Sequence, residues 1–136
     1  MSQEPFTTDI PVRYRDLDTQ NHVNNAVYGT YLEQARAAYI ADVLGEAIDQ
    51  CAVVLAHISI DFRTPVTLAD ESVSVTVRVP DLGTSSIPME YEIRTGDGVA
   101  ATAESVTVAV DEDGGPRSLP EEWRDQVTTY ESLSQN

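Results

Sequence analysis

At 136 residues the chain suffices for one domain, which at this size buries roughly two thirds of the surface its unfolded form exposes. Its single cysteine, Cys51, excludes an intrachain disulfide, and one thiol with two histidines is a poor set for a closed zinc site. Twenty-three acidic residues stand against eight arginines and no lysine, a formal net charge of −15, so no basic patch exists to neutralise nucleic-acid phosphates.

No apolar run approaches the roughly 20 residues that span a bilayer. The opening MSQEPFTTDI lacks the basic start and apolar core of a secretory signal, so a soluble cytoplasmic protein is expected. A surface of one sign repels itself in dilute buffer, whereas at about 1 M salt the screening length falls to roughly 3 Å. The complete absence of lysine points to a halophilic acidic protein working in a cytoplasm of concentrated salt.

Ile10, Val12 and Tyr14 alternate with Pro11, Arg13 and Arg15, the period of a half-buried strand ending at Asp16. The polar stretch RDLDTQNHVNNAVY, residues 15–28, opens there. From Ala26 the spacing changes: Tyr28, Tyr31, Leu32, Ala35, Tyr39, Ile40 and Val43 recur at three and four. That stripe predicts one amphipathic helix of nearly twenty residues, with Gly45 as its left-handed stop.

Four further strands are expected. Ala56, Ile58, Ile60 and Phe62 alternate with His57, Ser59 and Asp61; Val73, Val75, Val77 and Val79 with Ser74, Thr76 and Arg78; Ile87, Met89, Tyr91 and Ile93 with Pro88, Glu90 and Glu92. The last begins near Val99 and presents Val106, Val108 and Val110. Gly96-Asp97-Gly98 is a hairpin signal, and Leu82-Gly83-Thr84 and Gly114-Gly115-Pro116 mark other turns. Consecutive hairpins imply a largely antiparallel sheet of about five strands, and the long helix covers its apolar face, giving a two-layer α+β domain. Ser118-Leu119-Pro120-Glu121 reads as a capping box opening a short terminal helix through Trp123. With no internal repeat or linker, residues 1–136 read as one domain, its core about 9–112 and a tail from 113.

The polar stretch admits three readings. A calcium loop places Asp16 and Asp18 at its first and third positions, but Asn21 then stands where glycine belongs and Val27 where glutamate belongs, so that reading fails. A turn and helix cap would use Asn24 or Asn25 as N-cap, with His22 a packed loop residue. An active site would exploit a carboxylate about seven residues before a helix N-terminus, whose unpartnered N–H groups can hold a carbonyl oxygen turning negative during acyl transfer. No Gly-x-Ser-x-Gly elbow exists, and Cys51 reads as a small core residue at a strand start.

Arg13-Tyr14-Arg15-Asp16-Leu17-Asp18, His22-Val23-Asn24-Asn25, then Tyr28, Tyr31, Leu32, Glu33, Ala35 and Arg36 together resemble the opening signature of the 4-hydroxybenzoyl-CoA thioesterase family. The resemblance extends through Asp61-Phe62-Arg63-Thr64-Pro65-Val66, Gly83-Thr84-Ser85-Ser86 and Tyr91-Glu92-Ile93, covering roughly residues 9 to 112. It implies the hotdog fold, a curved antiparallel sheet wrapped around a long central helix, and hydrolysis of acyl-CoA at a site shared between subunits. It also implies that Asp18 is the catalytic carboxylate, as nucleophile or general base, and that the backbone N–H of Asn25 polarises the thioester carbonyl.

Asn21 stands where glycine is often found, and asparagine tolerates the left-handed turn required. Ala69-Asp70-Glu71 stands where Gly-Asp is common, and Asn25 where a related enzyme has an assisting histidine. His22 is carried as a further candidate for the chemistry. Glu33, on the central helix, is the other carboxylate to weigh, with pairing to Arg36 at i+3 as its commoner fate.

Tyr28 and Tyr31 are expected beside or beneath the acyl pocket, and Arg63, Ser85 and Ser86 as donors to CoA. No metal or cofactor is expected beyond the CoA of the substrate, and no nucleic acid or membrane; a homodimer or homotetramer is. Two rival functions keep the fold: a dehydratase or hydratase of acyl thioesters using His22 with a carboxylate, and a non-catalytic acyl-CoA binding module.

Overall fold

The computed structural model describes residues 5–133. Five strands, β1 (Phe6–Pro11), β2 (Ala52–Phe62), β3 (Ser72–Arg78), β4 (Ser86–Thr95) and β5 (Gly98–Val110), form one sheet in the order β1-β3-β4-β5-β2, every pair antiparallel. A long helix, α1 (Asn25–Leu44), packs against it, and a shorter one, α2 (Glu121–Glu131), packs against α1. This is the α+β layout that the periodicities imply, with the predicted hairpin between β4 and β5 turning at Gly96 and Asp97.

The first strand differs from expectation. It runs Phe6–Pro11, and after it the Val12 N–H donates to the Glu71 carbonyl at 2.8 Å. Residues Tyr14–Asp16 then coil into a short 3-10 helix. The cause is Asp16, whose carboxylate accepts the Arg13 N–H at 2.8 Å and closes the turn on itself. Tyr14, placed by alternation on the apolar face, is 80% exposed as a result.

The α1 helix begins where polar chemistry allows: the Asn24 side chain caps it by accepting the Ala26 N–H, and Gly45, at φ +55°, ends it. Its buried stripe is Tyr28, Tyr31, Leu32, Ala35, Tyr39 and Leu44, facing Val73, Val75 and Val77 of β3 and Phe6 and Ile10 of β1 across a common core. Burying each of the large aliphatic side chains among them contributes about 1.5–3 kcal/mol. The α2 helix is longer than expected and starts without the capping box, because Pro120 occupies its N-cap and no side chain there bonds the first turn. Glu121 and Glu122 instead meet the positive end of the helix dipole. Trp123 anchors α2, its indole N–H donating to the Ala47 carbonyl at 2.5 Å.

Two faces read differently from the valine pattern. In the second half of β5 the buried positions are Ser105, Thr107 and Ala109, and Val106, Val108 and Val110 lie half-buried on the outer face. The inner space is filled from the neighbouring strand by Met89, Tyr91 and Ile93, so β5 contributes small residues there, and the Tyr91 hydroxyl shares a 2.6 Å hydrogen bond with Ser105. In β2 an extra residue at Ala56 shifts the register between Leu55 and His57, so Leu55 shares a face with Ile58, Ile60 and Phe62. This edge strand is exposed along most of its eleven residues. No helix is long and apolar enough to cross a membrane among the described residues.

Candidate active site

Two interactions fold the polar stretch into a closed loop. Leu17 bridges Val23, and within that bridge the Asp18 N–H donates to the His22 carbonyl at 2.8 Å and the Asn21 N–H to the Asp18 carbonyl at 3.1 Å. Asn21 takes φ +63°, the left-handed geometry that asparagine tolerates. The loop is pinned from outside where buried Val23 donates its N–H to the Val66 carbonyl at 2.8 Å and His22 bridges Thr67.

The loop holds Asp18 by one oxygen. Its Oδ1 accepts the Gln20 N–H at 2.8 Å and the His22 N–H at 3.3 Å, and among the described residues no donor meets its Oδ2. Immediately downstream, the Asn24 side chain claims the Ala26 N–H and the Asn24 carbonyl takes the Val27 N–H at 2.8 Å. The Asn25 N–H has no acceptor among the described residues, the condition for a helix-start donor to serve a ligand.

A cavity of about 220 Å³ joins these groups. Asp18, His22 and Asn25 line one side of it, Tyr28 and Val23 another, and Phe62 with the Arg63-Thr64-Pro65 segment after β2 the third. Tyr28 is buried and meets the Phe62 ring edge-to-face, centroids 4.9 Å apart. Burial pushes its hydroxyl pKa above the usual value, with nearby Asp70 adding to the shift and a backbone bond at Val66 opposing it. Tyr31 lies one turn further on, its ring 6.3 Å from that of Tyr28 but outside the cavity lining, and its pKa is raised by burial first and then by its bond to Asp16.

Of the sequence candidates, Asp18, Asn25, His22, Tyr28 and Arg63 therefore meet at one place. Ser85 and Ser86 do not. They sit at the start of β4, where the Ser85 carbonyl accepts the Ala109 N–H and the Ser86 carbonyl the Gly83 N–H, in a turn so tight that a Cβ on Gly83 would lie 2.2 Å from Ser86 Oγ. Glu33 is exposed on α1 and lines no part of the cavity, and Arg36 donates to the Tyr91 hydroxyl at 3.3 Å instead of pairing with Glu33.

Phe62 is the cavity residue that alternation hid, since period two marks it only as another strand position. Two larger hollows lack this chemistry: one of about 380 Å³ on the outer sheet face holds the Arg78–Glu90 ion pair, and one of about 420 Å³ lies between α1 and α2 by Asp42 and Tyr130. No three metal-ligating side chains cluster among the described residues.

A thioesterase from Thermus thermophilus, solved in complex with coenzyme A and zinc, is 34% identical, with 94% of this chain and 95% of that one superimposing at a TM-score of 0.84. A candidate thioesterase from Pseudomonas aeruginosa is 28% identical over 89% of this chain and 96% of its own, at a TM-score of 0.79. A Staphylococcus aureus protein solved in complex with CoA, 17% identical, shares the fold over the whole of this chain and 89% of its own, at a TM-score of 0.84. No curated protein matches the chain. The model of the thioesterase-like superfamily matches residues 12–127, a span holding the closed loop, α1, the cavity and all but the first strand, and the chain belongs to that superfamily.

Proposed function

We propose that the protein is a hotdog-fold acyl-CoA thioesterase of the 4-hydroxybenzoyl-CoA type, hydrolysing a thioester to free acid and CoA. The observation that carries this reading is the meeting of Asp18, the unclaimed Asn25 N–H and Arg63 around one cavity. Asp18 attacks the thioester carbonyl carbon or takes a proton from the water that does. Either route turns the carbonyl oxygen negative, and the Asn25 N–H with the positive end of α1 stabilises it; one such donor is worth about 10²–10³-fold in rate. Collapse breaks the C–S bond and expels the CoA thiolate, which takes a proton from solvent. Where Asp18 itself attacked, a water then cleaves the resulting anhydride and restores the carboxylate.

Arg63 supplies a cation for the CoA phosphates on an otherwise acidic protein, and in this reading Ser85 and Ser86 meet CoA only where its tail runs along the start of β4. Coenzyme A bound to the Thermus and Staphylococcus neighbours supports the substrate class. The working unit is a homodimer or a homotetramer built from it. The free edge of β2 and its exposed Leu55, Ile58 and Phe62 support this, because Phe62 also walls the cavity and a second copy packed there closes it. The compartment is a cytoplasm of concentrated salt.

The test is thiol release from aromatic and straight-chain acyl-CoAs in molar salt, run beside Asp18→Ala. The wild type is expected to turn over at least one of them and the variant to lose that activity; a variant with wild-type turnover sinks the role of Asp18. Since His22 lines the same cavity, a dehydratase is the second reading, and an enoyl product formed without thiol release favours it.

A further inference from the structure

Asp16 is the one carboxylate buried among the described residues, 3% exposed, and it does not line the cavity. Burying a charge is costly unless its bonds repay the lost hydration. Capping the 3-10 turn needs only the bond from the Arg13 N–H, and Asp16 makes more than that. Its Oδ2 also accepts the Tyr31 hydroxyl at 3.0 Å, its backbone carbonyl accepts the Asn24 N–H at 2.8 Å, and Arg13 Nε lies 3.7 Å from Oδ1.

Those partners belong to the two segments whose relative placement the reaction needs. Two residues after Asp16 comes Asp18; Asn24 is the cap that leaves the Asn25 N–H unclaimed; Tyr31 is a buried position of α1, one turn beyond Tyr28. From this arrangement, and resting on the thioesterase reading above, we infer that the Asp16–Tyr31 hydrogen bond positions the Asp18 loop against the start of α1 and so governs turnover rather than substrate affinity. Neither residue touches the substrate. Both act through the separation of Asp18 from the Asn25 N–H, a geometry in which a displacement of about 1 Å costs on the order of a hundredfold in rate.

The test is a kinetic comparison of Tyr31→Phe, Asp16→Asn, Asp16→Ala and Asp18→Ala on one acyl-CoA, well below each variant's unfolding temperature. Tyr31→Phe removes only the hydroxyl and is expected to lower kcat about tenfold with KM within about twofold. Asp16→Asn keeps an oxygen acceptor and is expected to retain kcat within about threefold, whereas Asp16→Ala falls by about a hundredfold. Should Asp16→Ala not fold, Tyr31→Phe decides alone.

A Tyr31→Phe enzyme with wild-type kcat, or with an unchanged kcat and a raised KM, overturns the inference while an inactive Asp18→Ala leaves the thioesterase reading standing. An active Asp18→Ala overturns the role of Asp18 on which this inference rests, and the inference with it. A purely structural bond lowers the unfolding temperature of Tyr31→Phe without splitting kcat from KM.

Discussion

The Asn24 side-chain oxygen accepts the Ala26 N–H at 2.8 Å and thereby leaves the Asn25 N–H as the first unclaimed donor of α1. The same bond ends the polar loop and begins the helix, so it acts on stability and on the site together. Asn24→Ala is expected to cost about 1 kcal/mol of stability, read as a shift in the urea midpoint, while Asn24→Asp keeps an acceptor and stays near the wild type. An alanine variant of unchanged stability shows that the cap is dispensable.

Buried tyrosines set an alkaline limit on the fold. Burial is the main cause holding the Tyr31 and Tyr39 hydroxyls well above their usual pKa of 10, reinforced in Tyr31 by the bond to Asp16 and in Tyr39 by the bond to Glu131. With the folded pKa above the unfolded one, the folded state binds more protons once pH exceeds about 10, so this stability is whole below that pH and drains away above it. The urea midpoint is therefore expected to fall between about pH 10 and 12, and Tyr39→Phe to reduce that fall. A midpoint flat across the interval contradicts it.

Glu71 holds φ +65° and ψ −42° just before β3, a conformation that a side chain with a Cβ adopts only under strain. Its carbonyl accepts the Val12 N–H, so the geometry is fixed by the exit from β1. Glu71→Gly is expected to raise stability by about 1 kcal/mol and the unfolding temperature by a few degrees. Calorimetry decides; a lowered unfolding temperature would mean that the strain lies elsewhere.

Across β4 and β5, Glu90 faces Glu104 directly, with Arg78 3.2 Å from the first and His57 4.0 Å from the second. Like charges opposed on a sheet cost a few tenths to about 1 kcal/mol. Glu104→Gln is expected to stabilise the protein in dilute buffer by that amount and to have little effect near 1 M salt, where screening falls to roughly 3 Å. Circular dichroism of the wild type after dialysis into low salt tests the larger claim: secondary structure is expected to be lost, and full retention there counts against a saline origin.

Elements with strong period and clear punctuation were legible in the sequence. The α1 helix declared itself by its three-and-four stripe and by Gly45, and the hairpin at Gly96-Asp97 by its glycines. The polar stretch was readable as a turn and cap at a helix start, and the left-handed Asn21 turn followed from what asparagine tolerates. What stayed hidden depended on tertiary partners. Nothing local says that Asp16 reaches Tyr31, fifteen residues on. Ser105 and Thr107 are buried because β4 brings larger side chains beside them, a fact that the valines of β5 conceal. Phe62 joins the cavity only because the segment after β2 folds back to Val23 through Val66.

The extra residue at Ala56 fixes the parity of β2. Leu55 opposes Thr107 and Ile58 opposes Ser105, so these two residues, three positions apart, lie on one side of the sheet because Ala56 between them is unpaired. Deleting Ala56 alone would close the ladder without turning either half over, since Leu55 would still oppose Thr107 and His57 would still oppose Val106. The strand thus has one place where a residue can be removed without turning any side chain over, and the wall that carries Phe62 is insulated from that change.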